Sequence, residues 1–360
     1  MDTETVFDIG SVTKQITAAA ILRLEMDGAL TTDDRLGDHV PDLPADIAAI
    51  TLHQLLTHTS GMPHGFGADD EPLDRSGFVA RVADTALRSE PGARFEYSNV
   101  GYSLLALVVE AASGSSYETY LREALFEPAG MTHTGYVLSD WGDMTVAVGY
   151  DGVSGDRFGR PTEQPWAADG PYWNLHGNGG LLSTAGDMLR WDDALTNGAV
   201  LDEAAHAKFI APHVADQPAE GVAYAYGWII VPRSTGGPIV LHAGGNEVFY
   251  GELVRVPDED LAVIAITNAM IDADGDVATD VLDRLLNGGG EDAAADSETS
   301  RPDPPASDGE HAVADADPCG FESLTIATLP AHPEIAALPN SAAGRATGLL
   351  IDLLRAGDAQ

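Results

Sequence analysis

The stretch FDIGSVTKQ, residues 7–15, decides how the first half of this chain is organised. It runs into VTKQITAAAILRLEMD, residues 12–27, whose apolar residues recur at helical spacing up to Gly28, a residue suited to a helix C-terminus. Ser11 therefore lies at the N-terminus of a predicted helix, with Lys14 one turn later on the same face. A serine hydroxyl needs a neighbouring base to become a nucleophile, so the two are a candidate pair, although S-x-x-K also occurs in ordinary capped helices.

Outward from that helix, the apolar spacing predicts further helices at 51–61, 99–113, 117–130, 183–195 and about 275–287. Ser183 and Thr184 are both suited to cap the fourth of these. Residues 140–180, rich in Gly, Trp and Pro, predict a lobe built from loops. Apolar runs separated by turn residues predict an antiparallel meander of strands at 225–231, 238–243, 248–256 and 261–267. The order predicts an α+β fold, an antiparallel sheet backed by helices with an inserted, mainly helical lobe.

The composition changes at residue 288, which divides the chain into three parts. Residues 1–287 are predicted to form the folded domain. Residues 288–317 are acidic, small and proline-bearing, and are predicted to be a disordered linker. Residues 318–360 form a tail in which 321–329 predicts a strand and 342–357 an amphipathic helix.

The formal net charge of −39 bounds the function of the chain. A chain this acidic repels phosphate backbones, which excludes nucleic acid as a partner. An acidic interaction surface is one explanation, but we favour adaptation to molar salt, where screening removes the self-repulsion. The sequence has no apolar run that could span a membrane and no signal peptide, so we expect a cytoplasmic protein. Cys319 is the single cysteine, so no intramolecular disulfide can form.

Two later stretches strengthen the prediction that Ser11 and Lys14 form a catalytic pair. FEYSNVGY, residues 95–102, places Tyr97 and Asn99 just before an apolar helix, and VLHAGGNE, residues 240–247, places His242 at a strand end. Alone, each indicates an ordinary core tyrosine or a strand-end histidine. In this order, S-x-x-K, Y-x-N and a His-Ala-Gly triplet resemble the class C β-lactamase-like serine hydrolases, which include β-lactamases, D,D-peptidases, D-aminopeptidases and esterases. LLTHTSGM (55–62), GNGGLLSTAGDMLRW (177–191) and LAVIAITN (261–268) support the resemblance, which covers roughly residues 5–287.

The resemblance assigns a role to each matching residue. Ser11 is expected to be the acyl-accepting nucleophile, and Lys14 to ease its deprotonation. Tyr97 resembles the general base, and Asn99 is expected to orient the lysine and a substrate amide. His242 stands where β-lactamases usually carry lysine. The backbone N–H groups of Ser11 and Gly245 are expected to form the oxyanion hole, with Gly244 completing the triplet at the substrate.

Histidine in place of lysine at the third motif changes the expected substrate. A permanent cation for a substrate carboxylate is lost at neutral pH, so β-lactamase activity is less expected than cleavage of small esters or of amides of D-amino acids. A non-catalytic or decayed relative that acts as a binding protein is the alternative.

No metal or organic cofactor is expected. His58 and His64 lack a third ligand at metal spacing, and the sequence contains no G-x-S-x-G elbow or dinucleotide motif. Ser60, in the same segment as His58, is expected to serve a turn.

The resemblance also implies an N-terminal helix and two strands before Ser11, of which the strands pair with the last strand of the meander. Strand 261–267 is apolar on both faces, so an open edge there is expected to be adhesive. A misassigned start or a decayed gene is one explanation. The others are that a second subunit or the tail covers this edge.

Overall fold

Residues 12–27 form the helix that their apolar spacing predicts. In the computed structural model, a 3₁₀ turn over Gly10–Val12 leads into helix α1, Thr13–Met26, which is buried along most of its length. The structure describes residues 1–286 except 140, 152–153, 165, 218–220, 247 and 270–276, together with the backbone of residues 349–350. Cys319 lies outside the described residues.

The remaining helices occupy all five of the other predicted segments, although the helix predicted over 117–130 is divided, and four more lie at 36–39, 45–48, 75–83 and 203–209, where none was predicted. They are α2 (Leu36–His39), α3 (Ala45–Ala48), α4 (Leu52–Leu56), α5 (Arg75–Ala83), α6 (Asn99–Ser113), α7 (Tyr117–Leu121), α8 (Glu127–Ala129), α9 (Ala185–Asn197), α10 (Glu203–Phe209) and α11 (Val277–Leu286). A π-helical turn over Arg122–Phe126 joins α7 to α8. The Thr184 hydroxyl accepts a hydrogen bond from the N–H of Asp187, so Thr184 is the cap of α9.

The predicted α+β class and the antiparallel meander are confirmed. The main sheet runs through β5 (Val214–Gln217), β6 (Val222–Tyr224), β7 (Ile229–Val231), β8 (Ile239–Gly245), β9 (Tyr250–Val256) and β10 (Leu261–Thr267), each antiparallel to the next. Two short pairs lie outside it: β1 (Val6–Asp8) with β4 (Leu182–Thr184), and β2 (Gly149–Tyr150) with β3 (Arg157–Gly159).

One predicted strand is too long. Only Ile229–Val231 of the run 225–231 is a strand, and the preceding residues turn between β6 and β7. Gly227 has φ +74°, and a Cβ there would lie 2.8 Å from the backbone of Gln15 in α1. The close approach to α1 therefore requires a glycine turn where apolar content alone suggested a strand.

The two faces of the sheet are buried against different helices. Leu253 and Ile264 face the large core that contains α1 and α6, whereas Val254 and Val263 pack with α11. Buried Glu252 of β9 accepts hydrogen bonds from the N–H of Ala278 (2.9 Å) and the hydroxyl of Thr279 (2.8 Å). It thereby satisfies donors in the first turn of α11.

Among the described residues, the outer edge of β10 pairs with two residues of the tail. Leu349 and Leu350, termed β11, lie parallel to β10 opposite Val263 and Ile264. The predicted helix over 342–357 is therefore wrong at these two residues, because an apolar run that suits a helix also suits an unpaired strand edge. The predicted linker 288–317 and strand 321–329 lie outside the described residues.

Lysine occurs at only two positions in the sequence, and both side chains are held by polar partners. Lys208 of α10 donates to both carboxylate oxygens of Glu25 (2.9 and 2.8 Å) and to the hydroxyl of Thr32. It ties α10 to the end of α1. None of the helices in the described part of the chain is both long enough and apolar enough to cross a membrane.

Candidate active site

Ser11 and Lys14 are in direct contact at the start of α1. Lys14 Nζ donates a hydrogen bond to Ser11 Oγ at 2.9 Å. The Lys14 side chain is fully buried, whereas Ser11 is partly exposed. The structure thus places a partly exposed serine next to a buried amine, an arrangement in which the amine can assist deprotonation of the hydroxyl.

Sequence reasoning missed a further partner of Lys14. The Asn178 carbonyl oxygen accepts a hydrogen bond from Lys14 Nζ at 2.8 Å. The Asn178 side chain is itself fixed by the hydroxyl of Ser103 and the carbonyl of Asn174, at 2.9 and 2.8 Å. Asn178 lies in the segment GNGGLL, which is part of a stretch that supports the family resemblance. The contact uses a backbone carbonyl, which every residue has, so the residue type could not predict it.

Strand β8 lies against the Ser11 turn with no space for a side chain. A Cβ on Gly244 would lie 2.1 Å from the backbone nitrogen of Ser11, and one on Gly10 would lie 2.4 Å from the nitrogen of Gly245. The backbone N–H groups of Ser11 and Gly245, which the family resemblance implies as oxyanion donors, therefore belong to two closely packed segments.

Asp8 joins the same two segments. Its carboxylate accepts hydrogen bonds from the N–H of Gly10 at 2.7 Å and from Asn246 Nδ2 at 3.0 Å. Burial raises the pKa of Asp8 to about 6, against the opposing effect of these hydrogen bonds. Sequence reasoning did not single out Asp8, because an acidic residue in so acidic a chain carries no distinguishing pattern.

Tyr97 and Asn99 lie at the start of α6, which Ser98 caps through the N–H of Gly101. The Tyr97 ring centroid is 4.7 Å from Lys14 Nζ. Asn99 donates its N–H to the carbonyl of His64 at 2.8 Å, and within the described part of the chain its buried Oδ1 has no hydrogen-bond partner. Tyr97 is thus brought next to Lys14, whereas Asn99 Oδ1 accepts no hydrogen bond from the lysine that Asn99 was expected to orient.

His242 is buried on β8, and its ring makes two hydrogen bonds. Nδ1 lies 2.6 Å from the Ala243 carbonyl oxygen and Nε2 lies 3.2 Å from the Tyr224 hydroxyl. Burial, reinforced by the charge of Lys14, lowers the pKa of His242 to about 3. The third motif therefore carries an uncharged imidazole at neutral pH.

Cavity shape does not identify this site. A cavity of about 180 Å³ lies elsewhere, at the far end of β9, where Arg255, Asp192 and His206 are among its lining residues. In the described residues we find no cluster of three or more His, Cys, Asp or Glu side chains that could hold a metal ion. The candidate site is therefore defined by the contacts of Ser11, Lys14 and their neighbours.

The comparisons with known proteins identify the family of the chain. The sequence profile of the Beta-lactamase family matches residues 1–287. Penicillin-binding protein 4* of Bacillus subtilis is 29% identical over 281 residues, which cover 74% of this chain and 62% of that protein. The chain spans between about half and three fifths of the length of the curated relatives it matches.

Two solved structures have similar folds and 28% sequence identity. The octameric penicillin-binding protein homologue from Pyrococcus abyssi matches with a TM-score of 0.67, covering 79% of this chain and 67% of that one. The penicillin-binding protein from Bacillus halodurans matches with a TM-score of 0.66, covering 79% of this chain and 87% of that one.

Proposed function

Because the chain belongs to the beta-lactamase family and is a serine hydrolase of that superfamily, we propose that Ser11 forms an acyl-enzyme with small esters or amides of D-amino acids. The observation that carries the proposal is the 2.9 Å hydrogen bond between buried Lys14 and partly exposed Ser11. A capped surface helix would leave the lysine in water, where it could not influence the hydroxyl so strongly.

In the proposed reaction, Ser11 Oγ attacks the acyl carbon and its proton passes to Tyr97, which reacts as the phenolate that the nearby charge of Lys14 favours. The carbonyl oxygen becomes an oxyanion that the N–H groups of Ser11 and Gly245 stabilise. The leaving alcohol or amine takes this proton from Tyr97, which returns to the phenolate, and Ser11 is left as an ester. Water then attacks this ester and releases the acid and the free serine.

The uncharged state of His242 supports substrates that carry no carboxylate next to the scissile bond. A lysine at this position would offer a permanent cation to a β-lactam or to a peptide C-terminus. Here the imidazole donates from Nδ1 to the Ala243 carbonyl, and the pKa of His242 is far below the ordinary value for histidine. We therefore expect β-lactams to acylate Ser11 poorly in comparison with neutral esters.

Intact-mass spectrometry in high salt tests the proposal directly. After treatment with a fluorophosphonate, we expect one adduct per chain, and Ser11→Ala is expected to lose it completely. Ser60→Ala is the matched control, because Ser60 is buried and its hydroxyl accepts a hydrogen bond from the N–H of Met62. A folded protein that forms no adduct, or one that forms it equally well in Ser11→Ala, would show a non-catalytic relative instead.

Self-association is a second element of the proposal. The Pyrococcus abyssi homologue is octameric, and β10 of this chain has an edge that the described tail residues pair with at only two positions. We propose that a second copy covers the rest of that edge. Sedimentation in molar salt that yields only monomer would contradict this. Cytoplasmic location and adaptation to salt stay predictions.

A further inference from the structure

His58 holds the backbone on both sides of Tyr97. Its carbonyl oxygen accepts a hydrogen bond from the N–H of Glu96 at 2.8 Å, and its ring Nδ1 accepts one from the N–H of Ser98 at 3.0 Å. The rings of His58 and Tyr97 lie 4.3 Å apart between centroids. Tyr97 is the residue proposed as the base. His58 therefore holds the residues before and after Tyr97 by hydrogen bonds, and the His58 ring packs against the face of the Tyr97 ring.

The backbone of His58 is in a conformation that most side chains avoid. Its φ is +55°, and it is fully buried at the end of α4. A non-glycine residue with positive φ costs free energy that the surrounding structure must offset, and such residues concentrate at functional sites. The positive φ therefore points to a use for this histidine beyond ending a helix.

The hydrogen bonds of His58 fix the position of its ring proton. A backbone N–H can only donate, so the Nδ1 that receives the Ser98 N–H carries no proton. A neutral His58 ring must then be protonated at Nε2, which lies 3.2 Å from the Tyr224 hydroxyl and donates to it.

The same reasoning continues from Tyr224 to His242. A carbonyl oxygen can only accept, so His242 Nδ1, 2.6 Å from the Ala243 carbonyl, carries the proton. His242 Nε2 is then an acceptor, and the Tyr224 hydroxyl donates to it over 3.2 Å. With both rings neutral, the contacts from Ser98 through His58 and Tyr224 to Ala243 can all run in one proton direction. The Tyr102 hydroxyl, which itself donates to the Leu56 carbonyl, is a second acceptor for the Tyr224 proton.

We propose that His58 and Tyr224 are positioning residues that hold Tyr97 and His242 in place relative to Ser11 and keep His242 in its Nδ1-protonated form. The proposal rests on the function proposed above, since it assigns these residues to the serine hydrolase site. Tyr224 comes from β6, His58 from the turn after α4, and His242 from β8. The chain of hydrogen bonds therefore joins two strands of the main sheet to a turn that lies 166 residues before Tyr224 in the sequence.

The charged surroundings agree with two neutral rings. Burial is the main cause that lowers the pKa of His58, and the charges of Lys14, His242 and His64 act in the same direction. For His242 the causes are burial and the charge of Lys14, opposed by the bond to Ala243. A proton added to either ring would place a second positive charge near Lys14.

Tyr224→Phe removes the central hydroxyl and keeps the aromatic volume. With a neutral ester as substrate, we expect kcat to fall about five- to tenfold and KM to change less than about twofold. The acid limb of the pH–rate profile should move to higher pH, because His242 Nε2 loses its donor. Tyr226→Phe is the matched control. It removes another Tyr–His hydrogen bond, 2.8 Å to His53 Nδ1, and is expected to leave kcat unchanged.

Nitrogen-15 spectra of the histidine rings test the proton positions without any turnover. At pH 7 we expect His242 protonated only at Nδ1 and His58 only at Nε2, with the signals assigned by their loss in His242→Gln and His58→Gln. A charged His242, or one protonated at Nε2, would overturn the proposal, as would equal losses of kcat in Tyr224→Phe and Tyr226→Phe. If no substrate or probe reacts while the spectra are as expected, the proposed function fails and the hydrogen-bond chain stands.

Discussion

Strands β8 and β10 belong to one sheet but differ in how they are enclosed. The C-terminal end of β8 is packed so closely against the Ser11 turn that Gly244 and Gly10 have no room for a Cβ. β10 is paired with β9 at all seven of its positions, while the described residues on its other side are only Leu349 and Leu350. The comparison shows that the backbone is most closely packed next to Ser11, and that two strands away the described residues cover the edge of the sheet less completely.

The largest effect should come from filling the space at β8. In Gly244→Ala the new Cβ would meet the backbone nitrogens of Ser11 and Val12 at 2.1 and 2.6 Å, and backbone cannot rotate away. We expect the rate of Ser11 acylation to fall more than about 100-fold, since the N–H groups proposed as oxyanion donors are displaced. Stopped-flow labelling with a fluorophosphonate measures this rate.

Gly251→Ala is the control for that change. Gly251 lies opposite Gly244 in the register of β8 and β9, but a Cβ there would meet Ile9 at an ordinary 3.4 Å. It should lose less than about tenfold in the same measurement. Equal losses in the two variants would show that the tight packing at Gly244 has no special part in the reaction.

The second effect concerns the pH dependence of stability at the same end of the sheet. Asp8 has its pKa raised to about 6 from 3.8, so between these values the folded state binds more protons than the unfolded state. The free energy of unfolding should therefore decrease as pH rises from about 4 through 6, by on the order of 2–3 kcal/mol, and then level off.

Asp8→Asn removes the ionisation and should remove this decrease. Its amide nitrogen would face the Asn246 Nδ2 donor, so the variant is expected to be less stable than the wild type at pH 4 and closer to it at pH 7. Urea denaturation at several pH values measures the difference. Curves that stay parallel from pH 4 to pH 7 would show that Asp8 is not the group responsible.

The smallest effect is expected at the open edge. Deletion of residues 318–360 removes the two residues that pair with β10, and should lower the free energy of unfolding by about 1–2 kcal/mol. Activity per folded molecule should not change. Deletion of 351–360 alone keeps the pairing and serves as the control. Equal stability of both truncated chains would show that pairing with the tail does not stabilise β10.

The sequence predicted those parts of the molecule that depend on periodicity or on motifs. The apolar spacing of 12–27 and 99–113 was sufficient for α1 and α6, and the motifs named Ser11, Lys14 and Tyr97, which lie close together in the structure, while the catalytic roles assigned to them stay predictions. It could not show that Asn178 contacts Lys14 through a carbonyl, or that Tyr224 lies between His58 and His242. Such contacts depend on how distant segments pack, which periodicity does not record.

The two secondary-structure predictions that were wrong also concern segments whose conformation depends on tertiary contacts. Residues 225–228 are apolar enough for a strand, but the approach of Gly227 to α1 makes them a turn. Leu349 and Leu350 fit an amphipathic helix by spacing, and an unpaired edge elsewhere in the chain decides otherwise. In both cases a tertiary contact overrides a local preference.

The scarcity of lysine allows this protein to be labelled selectively at one side chain. Lys14 is fully buried against Ser11, while the Lys208 side chain is about one third exposed beside Glu25. An amine-selective dye applied to the folded protein should therefore attach at Lys208 and at the terminal amine, and leave the site untouched. A fluorophore at Lys208 would report on the junction of α10 and α1 while the serine stays free to react, so occupancy and conformation could be read from one sample.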